Sequence, residues 1–190
     1  MEQLTEIRWH ARAGQGAVTA AKLVAETALE LDQYIQAMPE YGPERMGAPI
    51  KAFTRISEDP IDIHCNIVSP DVVAVLDETL LGIEDVSDGL VDDGVVIVNS
   101  CSAPDAVRGD LSVKSAKVAC VDATGISKET LGREMPNTPM IGAIAKVTGL
   151  LSLDDVLDHV RKTFGKKFSQ EVVYANVAAV TRAYEEVSVG

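Results

Sequence analysis

Three short runs of apolar residues in the middle of the chain predict strands of a parallel sheet. The runs are Val72–Leu76, Val95–Val98 and Val118–Val121. Continuous apolar runs of this length are typical of strands that are buried on both faces. Each run ends at a polar residue, and these are Asp77, Asn99 and Asp122. Because α/β proteins bind ligands at the carboxyl ends of parallel strands, we expect these residues at one functional edge.

A strand, a glycine turn and a helix are predicted at the amino end. Thr5–Ala11 alternates in part, with Ile7 and Trp9 on one face, and an apolar-rich helix is predicted from Gln15 to Leu31. The turn between them is Gly-Gln-Gly at positions 14–16. Such a turn directs backbone N–H groups and the positive end of a helix dipole at one point, as in many nucleotide sites.

The remaining pattern predicts further strands and a helical last third. The strands are Tyr34–Met38, Lys51–Ser57 and a short Pro60–Asn66, and the alternation in Lys51–Ser57 predicts one solvated face. The predicted helices are Thr138–Leu150, Leu153–Phe164, with Ser152 as its N-cap, and Ser169–Val187. The fold class is therefore α/β. We expect residues 1–190 to form a single three-layer domain, with a mostly parallel sheet flanked by helices.

Charge and composition narrow the classes of function. The net charge is −12, and binding of nucleic acid requires a cationic face, for which Gly165-Lys166-Lys167 is the one hint. The amino end has no apolar core of a secretory signal, and no apolar run reaches the ~18 residues of a membrane span. An odd number of cysteines far apart in sequence, Cys65, Cys101 and Cys120, is typical of reduced thiols. These observations predict a soluble cytoplasmic protein that binds neither nucleic acid nor a membrane.

The metal-ligating residues do not have the spacing of a metal site. A [4Fe–4S] cluster normally takes four cysteine thiolates, and this chain has three cysteines without a C-x-x-C pair. His10, His64 and His159 are not spaced as zinc ligands, either from one another or from the cysteines. We therefore predict no metal site in this chain.

The glycine turn lacks the marks of a dinucleotide site. Gly14 and Gly16 are followed by Thr19 where a third glycine is required, and Gln36 and Met38 stand where an acid is expected after the second strand. The pattern of a P-loop is also missing. Two interpretations stay open for Gly14, Gln15 and Gly16, namely contact with an anionic ligand and a purely structural turn.

The segment EYGPERMGAP, residues 40–49, is the second candidate for a site. It combines Tyr41, Glu44, Arg45 and Met46 within a frame of glycine and proline. Arginine suits bidentate recognition of a carboxylate or phosphate, so we predict a site wall or subunit interface, with an internal ion pair as the alternative. We find no nucleophile with a base beside it, so we predict no catalytic residue and a role in binding or assembly.

Several long segments, in order, resemble one enzyme family. They are IRWHARAGQG-x-x-x-A, EYGPERMGAPIKAFTRIS, SPDVVAVLDETLL, PNTPMIGAIAKVTG and GKKFSQEVVYANVAAVTRAYEEV. Together they resemble the gamma subunits of the pyruvate:ferredoxin oxidoreductase (pyruvate synthase) family, over nearly the whole chain. Met46-Gly47-Ala48 stands where the wider superfamily commonly has Arg-Gly-Gly, so no role is carried over for a second arginine.

The resemblance implies a subunit of a larger enzyme. Alpha, beta and delta subunits would be its partners, and the complex would hold thiamine diphosphate, Mg²⁺ and [4Fe–4S] clusters on other chains. That complex decarboxylates a 2-oxoacid, reduces ferredoxin and transfers the acyl group to coenzyme A. The resemblance assigns none of these cofactors to this chain alone. Gly14, Gln15, Gly16, Tyr41, Glu44 and Arg45 would form the coenzyme A side of the cleft or an interface.

The sequence therefore leaves three hypotheses for the function of this chain. The first is a non-catalytic gamma subunit with pyruvate as substrate of the complex, or 2-oxoisovalerate or another 2-oxoacid in a related enzyme. The second is an autonomous protein that binds a nucleotide or coenzyme A. The third is a structural spacer, for which changes in the glycine turn would affect only stability.

Overall fold

A seven-stranded mixed sheet is the centre of the fold. The computed structural model describes residues 4–40, 46–113 and 115–190. The strands are β1 Thr5–Arg12, β2 Tyr34–Pro39, β3 Pro49–Ser57, β4 Val72–Val75, β5 Val95–Asn99, β6 Lys117–Val121 and β7 Ser188–Val189. The helices are α1 Ala17–Leu29, α2 Pro104–Arg108, α3 Ala123–Leu131, α4 Asn137–Thr148, α5 Leu153–Gly165 and α6 Gln170–Glu186.

The middle of the sheet is parallel, as the apolar runs predict. The strand order is β2-β3-β1-β4-β5-β6-β7, and β1, β4, β5 and β6 pair in parallel. The outer strands β2, β3 and β7 pair antiparallel with their neighbours. The α/β prediction with a mostly parallel core is therefore confirmed, and the parallel strands direct their carboxyl ends to one edge.

The two faces of the sheet are covered unequally. Most of the helices pack on one face, where Ile7, Trp9 and Ala11 of β1 are fully buried. The indole Nε1 of Trp9 donates a 3.0 Å hydrogen bond to Thr54 Oγ1, so the largest core side chain has a partner for its polar atom. The other face is covered by α2, a 3-10 turn at Glu78–Leu80 and connecting segments.

Two predictions about the third strand and its surroundings are wrong. Pro60–Asn66 forms no strand, although these residues lie within the described part of the chain. The predicted solvated face of Lys51–Ser57 is instead largely buried, since Phe53, Arg55 and Ser57 are each at most 4% exposed. The segment after β3 folds over this face instead of pairing with the sheet, and the carbonyl of Ile63 accepts a 3.3 Å hydrogen bond from Arg55.

The first helix and the last strand also differ from the predicted pattern. The first helix begins at Ala17 and ends at Leu29, and Leu31, predicted on its buried side, is 43% exposed beyond the helix end. The strand β7 has no apolar run that would predict it, and it pairs with Ala119 and Cys120 of β6. Short edge strands of this kind depend on a neighbour distant in sequence.

Ser152 is the N-cap of α5, as predicted, and its removal should cost measurable stability. Its Oγ accepts a 3.1 Å hydrogen bond from the Asp155 N–H. We expect Ser152→Ala to lower the free energy of unfolding by about 1 kcal/mol, as measured by urea denaturation. Ser169 is the matched control, because it precedes α6 without a side-chain cap. Equal losses for Ser152→Ala and Ser169→Ala would contradict the role of the cap.

Candidate functional site

The carboxyl ends of β4, β5 and β6 form an open cleft of about 400 Å³. Asp77 lies just beyond β4, Asn99 ends β5 and Asp122 follows β6, so the prediction that they share one edge is confirmed. The amide Nδ2 of Asn99 donates to Leu76 O and to Thr124 Oγ1, both at 2.8 Å. These bonds tie the end of β4 to the start of α3 and fix the shape of the cleft.

The predicted glycine turn joins β1 to α1 at the rim of this cleft. Gly14 has φ +104° and Gly16 has φ +83°, a region that side chains rarely adopt. A Cβ on Gly14 would lie 2.6 Å from Met46 Sδ, and one on Gly16 would lie 2.7 Å from Asn137 Nδ2. Both positions therefore favour glycine for backbone conformation, and Gly16 also for close packing, because Asn137 is buried whereas the Met46 side chain is exposed and can move aside.

The side chain of Gln15 holds the turn against the end of β4. Its Nε2 donates a 2.7 Å hydrogen bond to Asp77 Oδ2, and its Oε1 accepts one of 2.8 Å from the Arg12 N–H. Partial burial raises the pKa of Asp77, but hydrogen bonds from Thr79 and Gln15 and the charge of Arg12 lower it by more. Asp77 is therefore an ionised anchor, and the Gln15 side chain is already engaged within the protein.

Two of the backbone N–H groups of the turn donate hydrogen bonds within the protein, and two have no partner among the described residues. The Ala13 N–H donates to Ala48 O at 2.8 Å, and the Gln15 N–H closes the turn itself with a 3.0 Å bond. The N–H groups of Gly14 and Gly16 form no hydrogen bond with the part of the chain that the structure describes. These two N–H groups lie at the amino end of α1, where the helix dipole favours negative charge.

The predicted loop residues Tyr41, Glu44 and Arg45 lie outside the described residues. The segment that follows them is anchored on the glycine turn, because the Gly47 N–H donates a 3.0 Å hydrogen bond to Ala13 O. The carboxyl end of the loop and the glycine turn, which are distant in sequence, therefore meet. The individual roles of the three side chains stay predictions.

The cleft itself is acidic. Its charged lining consists of Asp77, Glu78, Asp122 and Glu134 against Lys128. Lys128 already pairs with Glu134 at 2.9 Å. A lining of this sign repels a phosphate group. The part of this region that suits an anion is therefore the glycine turn.

The cysteine of the cleft is not activated as a nucleophile. A hydrogen bond with Asp122 raises the pKa of the Cys101 thiol. Burial raises the pKa of Cys120, which lies on β6 outside the cleft lining, to about 11. The lining of the cleft includes no histidine that could act as a base.

Within residues 4–40, 46–113 and 115–190, no three His, Cys, Asp or Glu side chains are placed to hold a metal ion. Over the same ranges, no helix is long and apolar enough to cross a bilayer.

A buried charged network on the second face of β1 was missed by the sequence analysis. His10 Nδ1 lies 3.0 Å from Glu84 Oε1, and Lys51 Nζ lies 3.2 Å from Glu84 Oε2. The Arg8 Nε donates a 3.1 Å bond to His10 Nε2, which assigns the remaining ring proton to Nδ1. Burial lowers the pKa of His10, and its hydrogen bond lowers that of Glu84 to about 2. The alternation R-W-H-A-R predicts a polar face, but nothing local identifies Glu84 as its partner.

Comparison with known proteins places this geometry in one family. The family model described as pyruvate ferredoxin/flavodoxin oxidoreductase matches residues 6–186. The chain is 48% identical over 182 residues to the pyruvate synthase subunit PorC of Thermotoga maritima, covering 96% of this chain and 94% of that protein. It is 46% identical over 186 residues to the pyruvate/ketoisovalerate oxidoreductases common subunit gamma of Pyrococcus abyssi, covering 98% of each.

A solved structure agrees with the sequence comparison. The crystal structure of pyruvate oxidoreductase subunit PORC from Thermotoga maritima superposes with a TM-score of 0.87 at 44% identity. The match covers 98% of this chain and 98% of that chain. The similarity therefore extends over nearly the whole length of both chains.

Proposed function

Because the chain belongs to the pyruvate ferredoxin/flavodoxin oxidoreductase family, as a gamma subunit, we propose that it serves a pyruvate synthase whose active site is completed by other chains. The complex would convert pyruvate and coenzyme A to acetyl-CoA and CO₂ while it reduces ferredoxin, and the reaction is reversible. The observation that carries the proposal is the 48% identity to a pyruvate synthase subunit over nearly the full length of both chains.

The partners would be alpha, beta and delta subunits that hold thiamine diphosphate, Mg²⁺ and the [4Fe–4S] clusters. The cleft of this chain supports such a division of labour, because the pKa of its Cys101 thiol is raised and its lining includes no histidine. Purification of the complex from its native source, followed by identification of the copurifying chains, tests this part. Recovery of the chain free of any thiamine-binding subunit would contradict it.

A related 2-oxoacid is a second candidate substrate, supported by a specific observation. The Pyrococcus abyssi relative, at 46% identity, is named as a gamma subunit common to pyruvate and ketoisovalerate oxidoreductases. One gamma subunit could therefore serve two complexes. Ferredoxin reduction with pyruvate and with 2-oxoisovalerate, by each complex that copurifies with this chain, distinguishes one substrate from two.

Within the complex, we propose that this chain forms the coenzyme A side of the cleft and part of a subunit interface. The N–H groups of Gly14 and Gly16 have no hydrogen-bond partner among the described residues and would donate to a phosphate, and Gln15 keeps the turn in place. Arg45 would supply a cation from the loop whose end is anchored on this turn. Tyr41 and Glu44 would line the same wall or contact a neighbouring subunit.

Arg45→Ala in the assembled complex tests the coenzyme A site. We expect the KM for coenzyme A to rise about tenfold with little change in kcat, because a charge-assisted contact to the bound substrate would be lost. Steady-state kinetics with varied coenzyme A measure this effect, and gel filtration checks the assembly. Arg161→Ala is the control, because Arg161 is exposed and its one ion pair within the described residues is with Asp158 of its own helix. Unchanged kinetics together with unchanged assembly would defeat the assignment of Arg45.

A further inference from the structure

Arg12, the last residue of β1, connects three segments that are distant in sequence. Its Nη1 donates a 3.1 Å hydrogen bond to Gly47 O. Its Nη2 and Nε donate to Thr79 Oγ1 at 2.7 Å and 3.2 Å. The same Nε lies 3.3 Å from Asp77 Oδ2. One guanidinium therefore joins the glycine turn, the end of the segment 40–49 and the 3-10 turn after β4.

The polar groups around Arg12 form a closed network. The backbone N–H of Arg12 donates to Gln15 Oε1 at 2.8 Å, and Gln15 Nε2 donates to Asp77 Oδ2 at 2.7 Å. The Thr79 hydroxyl, which accepts from Arg12, itself donates to Asp77 Oδ1 at 2.6 Å. Each side chain of this network is thus held by two of the others. Loss of Arg12 leaves Asp77 and Thr79 without their shared donor, which loosens the rest.

The contact between the glycine turn and the segment 46–48 depends on few bonds. The Gly47 N–H donates to Ala13 O at 3.0 Å, and the Ala13 N–H donates to Ala48 O at 2.8 Å. The bond from Arg12 Nη1 to Gly47 O is a further link, so both polar backbone groups of Gly47 are held. Contacts made of a few exposed hydrogen bonds open at low cost in free energy. Arg12 is therefore placed to keep this contact closed.

The geometry favours a role in positioning over direct contact of Arg12 with an anion. The positive charge of Arg12 is paired with the carboxylate of Asp77, which weakens its attraction for a phosphate. Each of its three nitrogens already donates within the protein. The N–H groups of Gly14 and Gly16, in contrast, have no partner among the described residues.

We propose that Arg12 is a positioning residue for coenzyme A. It holds the glycine turn, residues 46–48 and the 3-10 turn in one arrangement, so that the donors of Gly14 and Gly16 are in place before the phosphate arrives. Donors that are ordered in advance bind more tightly, because the ligand does not have to order them. The inference rests on the proposed coenzyme A wall. Arg12 itself does not touch the ligand, and no covalent step is involved.

Arg12→Ala in the assembled complex tests this inference by steady-state kinetics. We expect the KM for coenzyme A to rise about tenfold, with kcat and the KM for the 2-oxoacid within about twofold of the parent. Arg182→Ala is the matched control. The Arg182 side chain is 35% exposed, against 28% for Arg12, and it also forms ion pairs, but these lie on α3 and α6 with Glu129 and Glu186. An unchanged KM for coenzyme A in Arg12→Ala would overturn the proposal.

Arg12→Lys separates the charge from the hydrogen bonds. Lysine keeps a positive charge near Asp77, but it lacks the planar fork that reaches Thr79 and Gly47 together. We therefore expect the KM for coenzyme A to stay raised, by at least about fivefold. A return to the parent value would show that the charge alone is needed, and a positioning role would then be wrong.

Thr79→Val tests whether Arg12 acts through its neighbours. Valine is close to threonine in shape but removes the hydroxyl that Arg12 contacts. We expect a rise in the KM for coenzyme A of about threefold, and a double variant with Arg12→Ala that is no worse than Arg12→Ala alone. Effects that multiply in the double variant would contradict the proposal, because the two residues would then act independently.

Hydrogen exchange in the full chain provides a measurement that does not involve coenzyme A. We expect the amides of Ala13 and Gly47 to exchange about tenfold faster in Arg12→Ala, with the amides of β4, β5 and β6 unchanged. If exchange is unchanged while Arg45→Ala raises the KM for coenzyme A, the inference about Arg12 fails and the coenzyme A wall stands. If exchange is faster but neither Arg12→Ala nor Arg45→Ala changes that KM, the coenzyme A wall itself is wrong, and the inference that rests on it falls too.

Discussion

Gly142→Ala should lower the free energy of unfolding by about 2 kcal/mol. An added Cβ at this position of α4 would lie 2.1 Å from Val180 O and 3.2 Å from Tyr184 N, both backbone atoms of α6. A rigid helix backbone cannot move aside as a flexible side chain can, so the two helices must separate. Overpacking costs up to about 3 kcal/mol, whereas the higher helix propensity of alanine returns about 1 kcal/mol. Urea denaturation of the full chain measures the difference.

Gly165→Ala is the matched control for this prediction. Gly165 is also a helical glycine, at the end of α5, but an added Cβ there has nothing within 4 Å. Its backbone does not have a positive φ, so alanine is tolerated, and we expect stability to be unchanged or raised by up to about 1 kcal/mol. Equal destabilisation by Gly142→Ala and Gly165→Ala would show that close approach of α4 and α6 is not the cause.

The parallel core could be predicted because its signal is local. Each of β4, β5 and β6 is a short apolar run with a polar residue just beyond or at its end, and burial on both faces leaves this mark in the sequence itself. The strand, glycine turn and helix at the amino end could be predicted for the same reason. In these segments, local preference and tertiary environment agree.

The errors arise where a partner distant in sequence decides the structure. Pro60–Asn66 has the alternation of a strand, but β3 already pairs with β2 and β1, so it offers no free edge. Arg55 lies at a position of the alternation where a solvated side chain is expected, yet it is 1% exposed. Its burial is compensated by a partner, because its Nε donates to Glu6 Oε1 at 2.7 Å. An ion pair across 49 positions cannot be read from a local pattern.

The candidate site was predictable to the same limited degree. Gly14 and Gly16 are visible as a turn, but the requirement for glycine at position 16 also comes from Asn137, which is far away in the chain. The position of Gln15 was predicted, whereas its attachment to Asp77 was not. The sequence thus indicates which residues are unusual, and the fold determines what each of them contacts.

The network around Glu84 should make the protein sensitive to acid. The ordinary pKa of 4.5 is lowered to about 2, chiefly by the hydrogen bond from His10 and against the opposing effect of burial. A lowered carboxyl pKa stabilises the folded state above pH 4.5, and this contribution is lost as the pH falls towards 2. A shift of this size corresponds to about 3 kcal/mol. Because burial lowers the pKa of His10 from 6.5, its protonation opposes folding in acid as well.

Glu84→Gln tests the contribution of the Glu84 charge to stability separately from the contributions of His10 and Lys51. The amide oxygen can still accept from His10 Nδ1, but the charge opposite Lys51 is lost. We therefore expect the variant to be less stable by up to about 3 kcal/mol at pH 7 and to approach the parent chain near pH 2. Urea denaturation between these pH values measures both curves. Glu134→Gln is the control, because Glu134 is 68% exposed in its pair with Lys128 and should leave the curve unchanged. Parallel curves for Glu84→Gln and the parent chain would contradict the assignment, because the carboxyl would then titrate alike in the folded and unfolded states.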